Sequence, residues 1–292
     1  MLGVRASLHR PGGHRPTTRG ATMRLQDKFG KLSLMKGFVF KRVFGERPDL
    51  CKKLVEVTLG IEVEGIEVVH PEREIEVIAD RAGGRLDLYV VDAQGNRYDI
   101  EVQATNRSDE VLSARRYQAL MDVNQLRKGH EAKELRYSWV VFICDFDIFG
   151  MGLKRYDTGT ACFQTGERVD DRRVSTYLNV RGEGGEEDPA LDRLLRLFAG
   201  EDDEDDAFVR GILEEMEKCR DNPEWMERFM TFEEEKERYA ASVAEKATKE
   251  AKEELLRICC GFVEDGILGV EEAAERFGVS VEEIRSRLES ER

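Results

Sequence analysis

A chain of 292 residues with 40% hydrophobic side chains is long enough for one large or two modest domains, each with a buried core. The longest apolar run, Trp139 to Cys144, falls far short of the ~20 residues that cross a bilayer, so a membrane-spanning role is not expected. The net charge of −14 is unevenly placed: residues 183–254 hold 25 acidic and 11 basic side chains and residues 81–156 hold 11 and 12, so the overall acidity does not exclude a polyanionic ligand in the central segment.

The first 22 residues carry Arg5, Arg10, Arg15 and Arg19 among Pro, Gly and His, with no acidic side chain. This composition predicts a disordered extension or a mis-assigned start ahead of Met23. A transit peptide is the alternative, although the prolines and glycines spoil an amphipathic helix. Phe38, Phe40, Val43 and Phe44, interleaved with Lys36, Lys41 and Arg42, predict a short helix with an apolar face. A second helix opens at Pro48 and Asp49 and stops at Gly60. Ile75 and Val77 alternate with Glu74 and Glu76 as a first strand, His70 reads as a turn residue, and Gly83 and Gly84 turn the chain into a hairpin.

That hairpin carries the chemistry. Its strands run from Leu86 to Val91 and from Arg97 to Gln103 around the loop Asp92 to Asn96. Strand alternation puts Asp99, Glu101 and Gln103 on one face, as a polar surface of its own, and Tyr98, Ile100 and Val102 on the other. With Val91 paired to Arg97, Asp87 stands opposite Glu101, and residues so opposed have Cβ atoms about 4.5–5.5 Å apart. Two carboxylates that close repel unless a cation lies between them, and Mg²⁺ (or Mn²⁺), which prefers oxygen ligands, suits the position.

A helix follows from Asp109 to Lys128 and ends at Gly129, then a buried strand from Tyr137 to Cys144 and weaker strands at Leu153 to Phe163 and Val174 to Val180. Beyond Gly182 the chain turns helical and charged. Pro223 opens a long helix, Glu224 to about Ile258, so rich in charge and alanine that it is either solvated or a self-association arm. Gly269 to Leu288 has the spacing of a helix-turn-helix. Its second helix carries Glu282, Glu283 and Glu289 against Arg285 and Arg287, which favours a helical hairpin packed on itself or a partner over a reader of bases. The six cysteines show no CxxC spacing; each reads as a small buried hydrophobe, in a reduced, cytoplasmic compartment.

Asp87 and the Glu101-Val102-Gln103 run, within a helix, three strands, helix, strand order, resemble the PD-(D/E)XK nuclease superfamily. More narrowly, the chain is similar to the recombination-promoting nuclease and putative transposase family through GFVFKRVFG (37–45), GGRLDLYV (83–90), YDIEVQ (98–103), ARRYQALMDVNQLRKG (114–129), VVFICDFDIFGMGLKRY (140–156) and EWMERFM (224–230). The resemblance implies an α/β, restriction-endonuclease-like core with an all-helical C-terminal extension. It implies metal-dependent cleavage of DNA, with Asp87, Glu101 and the Val102 carbonyl as ligands and Gln103 in the position of the family's usual Lys. Arg115 and Tyr117, on the helix after the hairpin, match the family's Arg and Tyr positions, which leaves two readings: contact with a phosphate, or a plain core or surface role. Members usually carry an Asp where this chain has Gly37, and Glu46 or Glu56 are the candidates to replace it.

The expected organisation is an extension (1–22), a nuclease-like domain (23–182), an acidic helical region (183–254) and a helix-turn-helix-like hairpin (255–292). The expected function is a DNA endonuclease tied to recombination or mobile elements, with a homodimer through the C-terminal helices. The alternative is a catalytically inactive descendant acting in DNA binding or assembly.

Overall fold

The computed structural model describes residues 32–75, 84–126, 129, 131–185, 187–201 and 205–290. The extension 1–22, Met23, Val77, Gly83 and His130 lie outside the described residues. The fold is mixed α/β, built on one six-stranded sheet of order β1-β2-β3-β4-β6-β5.

Two helices lead in. Helix α1 (Gly37–Gly45) buries Val39, Phe40, Val43 and Phe44. Helix α2 (Pro48–Leu59) starts on proline, whose missing N–H costs nothing in a first turn, and ends at Gly60, which takes φ 64° and donates its N–H to the Glu56 carbonyl.

Strand β1 (Ile66–Ile75) begins well before Glu74, and His70 pairs with Tyr89 inside the ladder, so the reading of His70 as a turn residue is corrected. Pro71 is tolerated there because β1 is an edge strand. Strands β2 (Gly84–Asp92) and β3 (Arg97–Gln103) form the antiparallel hairpin. Helix α3 (Glu110–Gln125) then carries the chain across to β4 (Ser138–Cys144), which lies parallel to β3. Strand β6 (Arg173–Asn179) is parallel to β4, and the short β5 (Arg155–Thr158) closes the other edge.

Helices α4 (Pro189–Ala199) and α5 (Ala207–Asp221) are each capped by the aspartate before them: Asp188 accepts from the amides of Ala190 and Leu191, and Asp206 from those of Phe208 and Val209. Both pack against α1 or α2. Helix α6 (Pro223–Glu264) has 42 residues. Its first turns add Trp225 and Phe229, stacked on each other and tilted against Phe38 of α1.

The chain divides into two compact units, residues 1–229 and 230–292. In the second, the end of α6 meets α7 (Val270–Phe277) and α8 (Val281–Ser290) around Cys259, Cys260, Ala273, Ala274, Val279 and Ile284. Gly278 (φ 66°) makes the turn, and Ser280 and Glu283 exchange hydrogen bonds at the start of α8. Five cysteines are buried, as read from the sequence. Cys162 is the exception, half-buried in the loop between β5 and β6.

Candidate functional site

The hairpin turn is locked by one side chain. Asp92 is buried, and its Oδ1 accepts from the amides of Gln94 (2.9 Å) and Asn96 (2.8 Å). Its Oδ2 accepts from Asn96 Nδ2 (2.9 Å) and the Tyr98 hydroxyl (2.8 Å). A turn held this tightly fixes the pairing of Val91 with Arg97, Tyr89 with Asp99 and Leu88 with Ile100. The pairing stops there, and Asp87 and Glu101 come next in the same register. The Asp87 amide donates to Glu101 Oε1 at 2.8 Å, so the two residues read as opposed are in contact.

The polar row is not a solvent surface. Asp99 is 0% and Glu101 5% exposed, because α3 lies over this face with Ala114 and Met121, alongside Tyr89, Val140 and Phe142. Leu86 joins the same cluster as Tyr89, so β2 leaves strict alternation at the end where pairing with β3 also stops.

Burial governs the electrostatics. Loss of water, then the Asp87 charge, pushes the Asp99 carboxyl well above the usual carboxylate range. Burial, then the charges of Asp99 and Asp87, does the same to Glu101. Both Asp99 oxygens are buried without a hydrogen-bond partner, and a proton on either carboxyl would let Asp99 and Glu101 bond to each other. Sequence reasoning placed Asp99 in the row without giving it a role, although its position two residues before Glu101 was the signal.

Tyr117 belongs to this environment. Its ring stacks near Phe142, and its hydroxyl is pushed up by burial and then by the charges of Glu101, Asp99 and Asp87. Arg115 stands exposed, one residue beyond the buried Ala114. Gln103 is half-buried at the end of β3. Its carbonyl accepts from the Asp145 amide at 3.0 Å, so the Val102 carbonyl, one residue earlier, points toward the β2 side, beyond the end of the paired register.

Helix α1 supplies the last wall. Lys41 Nζ lies 2.8 Å from Asp87 Oδ1, with 13% and 21% of the two side chains exposed. A Cβ built on Gly37 would sit 3.8 Å from Asp87 Oδ2, 3.9 Å from Lys41 Cε and 3.9 Å from Val102 Cγ2, so position 37 borders the site. Neither expected replacement for an acid there enters. Glu46 is exposed and paired with Arg42; Glu56 pairs with Lys52 and caps the Val63 amide. Lys41 was missed as a site residue; its place one helical turn after Gly37 was the available signal.

These donors suit a hard divalent cation in kind: the carboxyl oxygens of Asp87 and Glu101, beside two buried Asp99 oxygens that accept no hydrogen bond. No set of three His, Cys, Asp or Glu side chains among the described residues is spaced to hold a metal, so carboxylates alone do not complete a coordination shell. No helix among the described residues is long and apolar enough to cross a membrane.

No curated protein and no solved structure matches the chain. A family model does match, over residues 34–255, which span both the hairpin and most of α6. With the match covering well over half its length, the chain belongs to the PD-(D/E)XK nuclease family transposases.

Proposed function

We propose that the chain is a Mg²⁺- or Mn²⁺-dependent DNA endonuclease associated with recombination or mobile elements, with a restriction-endonuclease-like core. The observation that carries this reading is the hydrogen bond from the Asp87 amide to Glu101, which brings together the two carboxylate positions of the family motif next to the orphaned Asp99. Asp87 and Glu101 hold the cation, with the Val102 carbonyl as a third oxygen. When bound, the cation neutralises the phosphodiester and makes a water a better nucleophile. Gln103 cannot act as a base at neutral pH and orients that water by hydrogen bonding. Tyr117 fixes the wall behind the carboxylates, and Arg115 meets the DNA backbone from the exposed side of α3. The water oxygen bonds to phosphorus as one phosphorus–oxygen bond to the sugar breaks, and the departing oxygen takes a proton.

Plasmid nicking with Mg²⁺ or Mn²⁺ tests this. Cleavage by the unmodified chain that disappears in Asp87→Ala and Glu101→Ala is the expected result; equal cleavage by the unmodified chain and Asp87→Ala, or none by either, overturns it. Gly37 and Gln103 favour a second reading, an inactive descendant acting in DNA binding or assembly through its C-terminal helices. Retardation of DNA without nicking would identify it.

A further inference from the structure

We propose that Lys41, delivered by α1, supplies the positive charge that the strand position Gln103 lacks, as a positioning residue for the phosphodiester and its attacking water. This rests on the endonuclease reading above. Three observations converge. The Lys41 ammonium is at 2.8 Å from Asp87 Oδ1, and most of its length is withdrawn from water. Gly37, one turn earlier, presents no side chain: the Cβ it lacks would meet both Asp87 Oδ2 and Lys41 Cε at ordinary contact distance, so its absence leaves space beside both groups. The centre itself holds Asp87, Asp99 and Glu101, and Gln103 at the end of the row is neutral.

An ammonium at this point does two things. It occupies one oxygen of Asp87 and leaves Oδ2 facing the space over Gly37, which fixes the carboxylate's orientation. It also places a charge beside the phosphoryl oxygens as they become more negative, where a fixed cation in a partly dry site is worth far more than in water. Lys41 keeps its proton throughout; the proton lost by the attacking water ends on the departing sugar oxygen.

The test uses the full chain with Lys41→Met, Lys41→Arg and the double variant Lys41→Met, Gln103→Lys. The readouts are single-turnover nicking, Mn²⁺ binding without DNA, and thermal melting. Lys41→Met is expected to slow nicking by about 100-fold while binding Mn²⁺ at least as tightly as the unmodified chain, because a cation beside Asp87 has been removed. Lys41→Arg and the double variant are each expected to recover part of the rate. Nicking by Lys41→Met at the unmodified rate overturns the proposal and leaves the endonuclease reading intact. A slowed Lys41→Met that melts early and is rescued by neither second variant also overturns it, by showing a purely structural role. An unmodified chain that never nicks, or that nicks no faster than Asp87→Ala, overturns both readings.

Discussion

The Asp87 main-chain amide donates to Glu101 Oε1 at 2.8 Å, so one carboxylate is held by the backbone of the residue that carries the other. The hairpin turn at Asp92 sets the register that brings the two residues together, and Lys41 of α1 then holds the Asp87 carboxylate.

Glu101→Gln separates charge from shape. The amide oxygen of Gln still accepts from the Asp87 N–H, while the repulsion from Asp99 and Asp87 is removed. Melting temperature is expected to hold or rise, and Mn²⁺ affinity and nicking to fall by at least about tenfold. Calorimetry of Mn²⁺ binding beside a thermal melt checks both; a variant that binds Mn²⁺ normally contradicts the assignment.

The raised carboxyls set a pH dependence. Asp99 and Glu101 titrate above their unfolded values, so the native chain binds more protons than the unfolded chain as pH rises from about 4. Their stabilising contribution is present in acid and lost as pH climbs through the native values. Melting in chelator should therefore fall between mildly acidic and neutral pH, and Mn²⁺ should restore it most at neutral pH. A melting curve whose pH slope is the same with and without Mn²⁺ would contradict this.

Gly37→Asp adds a carboxylate where the space beside Asp87 Oδ2 is open. The position opens α1, where a negative charge also favours the helix dipole. Tighter Mn²⁺ binding, by about tenfold, is expected from titration calorimetry, with Gly37→Ala unchanged as the steric control.

Asp92→Ala removes two carboxylate oxygens and with them four hydrogen bonds in the hairpin turn. Leaving buried donors unpaired costs about 2–4 kcal/mol, read as a lower urea midpoint at unchanged slope. A midpoint shift below about 0.5 kcal/mol would show that the turn is held by other contacts.

Thiol chemistry distinguishes the cysteines. Burial pushes Cys51 up to about 12, whereas the Thr165 side chain and the loop amides lower Cys162. Native labelling with a disulfide reagent should modify one thiol fast, lost in Cys162→Ser, with the remaining five following only on unfolding.

Much of this was legible because it is local. The Asp-Ala-Gln-Gly-Asn turn sets the pairing of its own strands, so the meeting of Asp87 with Glu101 followed from counting, and proline and glycine marked the ends of α2. The flanking phrases placed the chain in its family. What counting along the chain left open was which face α3 covers and where α1 points, because those contacts join residues far apart in sequence and carry no periodic trace. Alternation describes a row of carboxyls equally well in water or under a helix. Only the tertiary structure buried Asp99 and Glu101, broke the alternation at Leu86, left Arg115 outside and laid Lys41 against Asp87, and burial is what lifts those carboxyls above the range of a solvated face.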